Sequence, residues 1–278
     1  MKGELYLIAT PIGNLEDISF RAVETLRSAD LIACEDTRRT GKLLKHFEIK
    51  AKLLSYHEHN ETNRIDALVA ELKNGRNIAL VSDAGTPGIS DPGYRIVNAA
   101  ILEGIKVIPI PGAAAFISAV IVSGLPTDSI FFAGFLPAKK SERRKRLEEL
   151  RLLPATVCLY EAPHRILHTL KDCVEVLGNR NAALSRELTK LYEETLRGDL
   201  ETILKLVSKS PVKGELVLSI DRARGNVALN ETESILSRVL ELEAEGIERK
   251  KVLKIVAKEF GVSRSEAYRK LLEAHTEN

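Results

Sequence analysis

The chain contains no tryptophan, one methionine and few aromatic residues of any kind, only 5% of its 278 positions. Platforms on which successive single-stranded bases could stack are therefore scarce. Cysteine is equally sparse. Cys34, Cys158 and Cys173 are odd in number, widely separated and set among apolar neighbours. No C-x-x-C spacing occurs, which removes both a disulfide framework and a cysteine zinc site, and reduced thiols fit a cytoplasmic protein. No apolar run approaches the roughly 18 residues of a membrane span, and the apolar start of MKGELYLIATPIGN is too short for a signal peptide. Charge of neither sign prevails, with 41 Lys and Arg against 39 Asp and Glu. A polyanionic partner must accordingly be met by local patches.

Several catalytic signatures are missing too. No G-x-G-x-x-G follows a strand and no G-x-x-x-x-G-K-[ST] occurs, which argues against a dinucleotide-binding fold and a P-loop hydrolase. No G-x-S-x-G elbow or Ser-His-Asp set is evident, so acyl transfer by a serine nucleophile is disfavoured. His57-Glu58-His59 offers two metal-binding side chains without a third ligand placed by spacing, so no metal is expected.

What is present is an alternation of short apolar strands with amphipathic helices. Leu5–Ala9, Leu31–Cys34, Leu53–Tyr56, Ile78–Ser82 and Lys106–Ile110 have strand character. Helices are expected over Asp17–Ala29 with Asp17 as N-cap, Gly41–Phe47, Glu61–Asn74 and Tyr94–Glu103. That order predicts a mostly parallel sheet with crossover helices, whose ligands lie beyond the carboxyl ends of the strands. Three loops rich in turn residues fall at that edge: Thr10–Asn14, Asp83–Gly93 and Pro111–Ala115. The second of them places three glycines, two prolines, Asp83 and Asp91 in eleven residues. Its first half, Asp83 to Pro87, is the expected pocket wall, and Asp91-Pro92-Gly93 the expected cap of the next helix.

The second part of the chain has closer strand spacing and predicts a mixed sheet. A small apolar helix over Ala113–Gly124 precedes strands at Ile130–Phe135, Thr156–Tyr160, Ala182–Ser185 and Glu194–Leu196. Arg197-Gly198 follows, and the last strand is expected at Glu215–Ile220. From Glu231 the pattern is wholly helical. Ala257, Gly261 and a helix over Arg264–Ala274 give a loose helix-turn-helix spacing. The expected organisation is thus α/β, with an N-terminal domain over 1–115, a C-terminal α/β domain over 116–225 and a helical extension over 231–278.

Two basic clusters suit phosphate contacts. Six of the eight residues from Lys139 to Arg146 are basic, and Arg249–Lys270 holds eight basic residues against two acidic. Lys139, Lys140, Arg143, Arg144 and Arg146 in the first, with Arg264 and Arg269 in the second, are the candidate RNA contacts. Glu35, Asp36, Arg38, Glu161, Arg165, Arg186 and Glu187 stand just beyond expected strand ends and could line one cleft. Group transfer that asks mainly for positioning is the chemistry these residues suit.

Seven motifs occur in one order: TPIGN at Thr10, EDTR at Glu35, SDAGTPGISDPG at Ser82, PGAAA at Pro111, GFLP at Gly134, YEAPHR at Tyr160 and RELTKLYEE at Arg186. In this order they resemble the tetrapyrrole methylase superfamily, and within it the branch that modifies ribosomal RNA, over residues 3 to 222. The resemblance implies two α/β domains with S-adenosylmethionine folded into the cleft between them, and a homodimer. It also implies methylation of the ribose 2′-hydroxyl of a cytidine in the decoding region of small-subunit ribosomal RNA, either free or in the assembled subunit. The implied cofactor contacts are Asp83, Ala84, Gly85, Thr86 and Pro87, then Gly112, Ala114 and Ala115, and finally Leu159 and Tyr160. Where relatives often have PGPSA, this chain has Ala113 and Ala114, which removes one side-chain hydroxyl contact. A sulfonium cofactor carries no phosphate, in keeping with the absence of a phosphate loop. Asp36 or Glu161 is the expected base, with Arg38, Arg165 or Arg186 positioning the acceptor. Competing expectations are a superfamily enzyme acting on a tetrapyrrole precursor or a protein side chain, and a DNA-binding regulator using Arg264–Ala274.

Overall fold

A computed structural model of the chain describes residues 1–223, 238–243, 247, 249–260, 262–263 and 265–269. It forms two compact units, 1–222 and 223–278.

The first unit is built on two five-stranded sheets. The N-terminal sheet contains β1 (Glu4–Ile8), β2 (Leu31–Cys34), β3 (Leu53–Ser55), β4 (Ile78–Val81) and β5 (Lys106–Ile110), in the order β3-β2-β4-β1-β5. Every pairing in it is parallel. Helices cover both faces, so its central strands are apolar on both sides. One face packs Leu5, Leu80 and Ile78 against α3 (Glu61–Lys73) and α4 (Tyr94–Leu102). The other packs Ile8, Ile32, Ala79 and Val81 against α1 (Phe20–Ser28) and α2 (Thr37–His46). The N-cap of α1 is Ser19, whose hydroxyl accepts the Ala22 amide, instead of Asp17. Asp17 belongs to a separate 3-10 turn, Leu15–Asp17, capped by Asn14.

The second sheet is mixed. Its order is β6 (Ile130–Phe135), β7 (Thr156–Glu161), β10 (Leu216–Ile220), β8 (Asn181–Arg186) and β9 (Glu194–Asp199). Only β6 and β7 run parallel. Between β9 and β10, where the sequence reading assigns no element, lies α8 (Leu200–Lys209), capped by the Asp199 carboxylate. Side chains alternate along each strand. Val157, Leu159, Leu216, Leu218 and Ile220 face a core covered by α6 (Lys140–Leu150), α7 (Ile166–Leu177) and α8. Tyr160 and Val217 face the opposite side, where α5 (Ala115–Ser123) packs on the sheet.

In the second unit, residues 238–243, Arg249–Glu259 and 265–269 are helical, and Val239, Leu242, Val252 and Val256 form its apolar core. Arg264 and most of the expected recognition helix lie outside the described residues, while Arg269 is exposed. Among the described residues, no helix is long and apolar enough to cross a membrane. All three cysteines are free and buried.

Candidate active site

The loops after β1 and β4 are joined by backbone. Thr10 and Gly85 exchange amide-to-carbonyl hydrogen bonds of 2.8 and 3.0 Å, an isolated antiparallel bridge beyond two parallel strands. Gly85 adopts φ +84°, a left-handed conformation that glycine takes without penalty. The Thr86 hydroxyl then donates to the Ala113 carbonyl at 3.1 Å and ties in the loop after β5. The three turn-rich loops form one continuous rim.

This rim docks on the second sheet at Gly13. A Cβ there would lie 2.6 Å from the Thr189 hydroxyl and 2.8 Å from the Leu188 carbonyl oxygen, too close for any side chain. Next to it the Asn14 amide donates to Thr189 Oγ1 at 3.0 Å. Thr189 and Glu187, both with positive φ, shape the receiving loop between β8 and β9. Ile12, one residue earlier, joins Leu188, Val217 and Ala119 in an apolar cluster shared by the two sheets.

Above that cluster opens a cavity of about 380 Å³, within the range of small-molecule sites. Ala84, Gly85, Thr86, Ile89, Ser90 and Asp91 line it from the loop after β4, with Ile12, Ala114 and Ala115 beside them. Phe135, Tyr160, Glu161, Ala162, Pro163 and Gly214–Val217 line it from the second sheet. Three carboxylates, Asp91, Glu161 and Glu215, stand in this lining without one Lys or Arg. A second cavity, about 420 Å³, adjoins through Ser90 and Asp91 and contains Glu35, Glu58, Glu61 and Arg95. A smaller hollow lies on the other side of the loop and holds Asp83, Thr10, Arg39 and Lys42.

The expected site residues divide accordingly. Ala84, Gly85, Thr86, Ala114, Ala115 and Tyr160 line the main cavity. Pro87, Gly112 and Leu159 do not; Leu159 is wholly buried, and a Cβ on Gly112 would meet Ala9 Cβ at 2.9 Å. Asp83 faces the smaller hollow, where Oδ1 accepts the Asp36 amide at 3.0 Å and Arg39 lies 3.3 Å from Oδ2.

The expected catalytic residues are all engaged by neighbouring groups. Asp36 caps α2 by accepting the Arg38 amide and also holds the Arg38 guanidinium at 2.8 and 3.0 Å. Those bonds, the Arg38 side chain foremost, hold its carboxyl well below the usual range. Glu161 reaches the cavity wall, yet its oxygens already accept the Ala162 amide and the Thr169 hydroxyl, with Arg165 Nε 3.2 Å away. Arg165 donates onward to the Leu136 carbonyl at 2.6 Å, and Arg186 donates to Glu194 at 2.7 Å. These bonds brace the loops after β6, β7 and β8.

Asp91 has the opposite history. The N-cap of α4 is Gly93, with no side-chain cap, so Asp91 does not serve the helix. It stands where the two large cavities meet, flanked by Ser90 at φ +60°. Burial, followed by the Glu35 charge, pushes its carboxyl up to about 6; the Ser82 hydroxyl opposes the shift and the Asp83 charge adds to it. The sequence reading puts Asp83 in the pocket wall and Asp91 in the helix cap, whereas Asp91 lines the main cavity and Asp83 the smaller hollow.

The basic run after β6 is also not what its composition suggests. Arg143 is buried on Asp172 at 2.6 Å and donates to the Ala138 carbonyl, which removes it from any RNA surface. Arg144 pairs with Glu175, Arg146 with Glu149 and Lys139 with Glu142. Lys140 is exposed and lacks a carboxylate partner among the described residues. Those residues also contain no group of His, Cys, Asp and Glu able to hold a metal ion.

Known proteins resemble this chain in sequence and in fold. A sequence profile described as Tetrapyrrole (Corrin/Porphyrin) Methylases matches residues 4–204. The chain is 52% identical over 274 residues to ribosomal RNA small subunit methyltransferase I of Halalkalibacterium halodurans, covering 96% of this chain and 94% of that one. It is 48% identical to the protein of the same name from a Synechocystis strain, covering 98% of each. Among solved structures, uroporphyrin-III C-methyl transferase of Thermus thermophilus complexed with S-adenyl homocysteine aligns with a TM-score of 0.56 at 18% identity, over 80% of this chain and 98% of that one. At that identity the likeness speaks for the fold. Two sheets joined at one apolar cleft, the matched profile and the near full-length identities agree: this chain belongs to the tetrapyrrole methylase family, in its ribosomal RNA small subunit methyltransferase I group.

Proposed function

We propose that this chain transfers a methyl group from S-adenosylmethionine to the 2′-hydroxyl of a cytidine in the decoding region of small-subunit ribosomal RNA, as a cytoplasmic homodimer acting on the RNA or on the assembled subunit. The observation that carries the substrate is the identity of 52% across nearly the whole of a protein named for that ribosomal RNA. The cavity supports the donor. Its lining is apolar, holds no Lys or Arg, and presents the Asp91 carboxylate, while Glu161 and Glu215 are paired with Arg165 and Lys190; this chemistry suits an uncharged or positively charged ligand better than a phosphate. When bound, S-adenosylmethionine supplies a methyl group activated by a sulfonium centre.

The remaining tasks fall to the protein. Ala84–Thr86 and Ala114–Ala115 offer backbone groups, while Ile12, Phe135 and Val217 exclude water. Asp91 faces both cavities and takes the proton from the acceptor hydroxyl as its oxygen becomes the nucleophile. The reading is tested with labelled S-adenosylmethionine offered to small subunits, protein-free RNA and a tetrapyrrole precursor, followed by nucleoside analysis. Label in 2′-O-methylcytidine is expected. Label confined to the tetrapyrrole, or found on a base, would overturn it.

The docking at Gly13 gives a further expected outcome. Gly13→Val forces the rim away from Leu188 and Thr189 and should weaken donor binding by about tenfold or more, roughly 1.4 kcal/mol. Titration calorimetry with S-adenosylmethionine measures this, with far-UV dichroism expected to stay unchanged. Wild-type affinity in the variant would mean that the rim holds the cavity without this contact.

A further inference from the structure

With most of the α6 cations neutralised internally, a different surface, with Lys42 and Lys45 unpaired among the described residues, carries positive charge beside the cleft. Helix α2 holds Arg38, Arg39, Lys42 and Lys45 and no acidic residue. Thr40, Leu43 and Leu44 face the core. At 100° per residue, Arg38, Lys42 and Lys45 project from the directly opposite side as a single stripe. All three are exposed, Arg38 to 87% of its side chain. Arg38 and Arg39 are steadied by Asp36 and Asp83, whereas Lys42 and Lys45 have no carboxylate partner among the described residues.

The stripe also stands in the right place. Helix α2 begins at the carboxyl end of β2, on the edge where the rim loops meet. Arg39 and Lys42 line the hollow formed with Thr10, Pro11, Ser82 and Asp83. Those loop residues continue directly into Ile12, Ala84 and Gly85 of the main cavity. A strand held along α2 would therefore have its next nucleotides at the cavity mouth.

We propose that the exposed face of α2, Arg38, Lys42 and Lys45, is the surface that grips the phosphate backbone of the RNA beside the methylation site. This rests on the functional reading above, since it names where that substrate is held. Contacts of this kind are indifferent to sequence, screened by salt and additive over the phosphates neutralised.

The test compares K42E/K45E with K140E/K145E, the latter reversing the exposed unpaired lysines of α6. Binding of a fluorescent small-subunit RNA fragment is followed by anisotropy across a salt series, beside methylation kinetics and titration with S-adenosylmethionine. K42E/K45E should bind RNA roughly 10- to 100-fold more weakly at low salt, with a salt slope shallower by about two contacts. KM for RNA should rise, with kcat at saturating RNA and donor affinity unchanged. The neutral pair K42Q/K45Q should show a smaller loss of the same kind. Equal RNA affinity and slope in K42E/K45E and wild type, or a larger loss in K140E/K145E, would overturn the surface. A wild-type protein that methylates subunits while K42E/K45E binds them normally refutes the surface alone. A wild-type protein that neither binds nor methylates any RNA refutes the functional reading and the surface with it.

Discussion

Asp91→Asn is expected to lower kcat for RNA methylation by about 10²- to 10⁴-fold, the span over which positioned general bases act. Donor affinity should change far less, because the carboxamide keeps the shape and polarity of the wall. The pH profile gives the sharper signature. The Asp91 carboxyl is pushed up to about 6, first by burial and then by Glu35. Only the ionised form accepts a proton, so kcat/KM should climb with unit slope through about pH 6 and level off above it. In Asp91→Asn that inflection should vanish. Stability moves the other way. A carboxyl raised in the folded state binds more protons there than in the unfolded chain between the two pKa values, so its contribution to stability falls as pH rises through that window. Asp91→Asn should thus be no less stable than wild type above pH 6, and lost activity cannot be ascribed to unfolding. An unaltered pH profile in an active Asp91→Asn protein would remove Asp91 from proton transfer. The groups facing Asp91 from neighbouring elements are Glu35 after β2, Ser82 and Asp83 after β4, Tyr160 in β7, and Glu58, Glu61 and Arg95 around the second cavity.

The second large effect is expected at Asp172. Its carboxylate meets the Arg143 guanidinium at 2.6 and 2.7 Å, and both side chains are almost fully buried, with 6% and 3% exposed. Pairs of this kind contribute little net stability, but removing one partner leaves an uncompensated charge inside the protein. Asp172→Ala should cost about 3–5 kcal/mol. In a unit of this size that lowers the melting temperature by roughly 10 °C, measurable by calorimetry. The double replacement Arg143→Met with Asp172→Leu should recover most of the loss. Destabilisation below about 1 kcal/mol in Asp172→Ala would mean that water reaches Arg143.

Arg143 shows why the site was harder to foresee than the fold. The N-terminal sheet is legible because parallel strands buried on both faces leave uninterrupted apolar runs, and each is followed by one helical period. Leu31–Cys34, Lys106–Ile110 and Ile130–Phe135 fall where their residues indicate. Helix α8 is missing from the sequence reading, although Asp199 stands ahead of Leu200, Ile203 and Val207 at helical spacing. A basic run, however, does not disclose its partners. Asp172 and Glu175 come from α7, some 30 positions away, and only packing brings them onto α6. The partners of Asp36 and Glu161 are hidden for the same reason, since a carboxylate at a strand end looks free until its cap and neighbours are known. Gly214–Val217 enter the cavity wall because β10 runs antiparallel to β7, with Leu216 opposite Glu161. No local pattern announces that pairing.

The apolar cluster beneath the cavity has a thermodynamic consequence. Ile12 comes from the loop after β1, Leu188 from the loop after β8 and Val217 from β10, and each completes the other's burial. Neither sheet retains its full core if the other melts, so residues 1–222 are coupled into one cooperative folding block despite their two hydrogen-bonded sheets. Occupation of the cavity therefore lifts both sheets at once, by RT ln(1 + [L]/Kd). Amide protons deep in β4 and in β10 should then slow their exchange together.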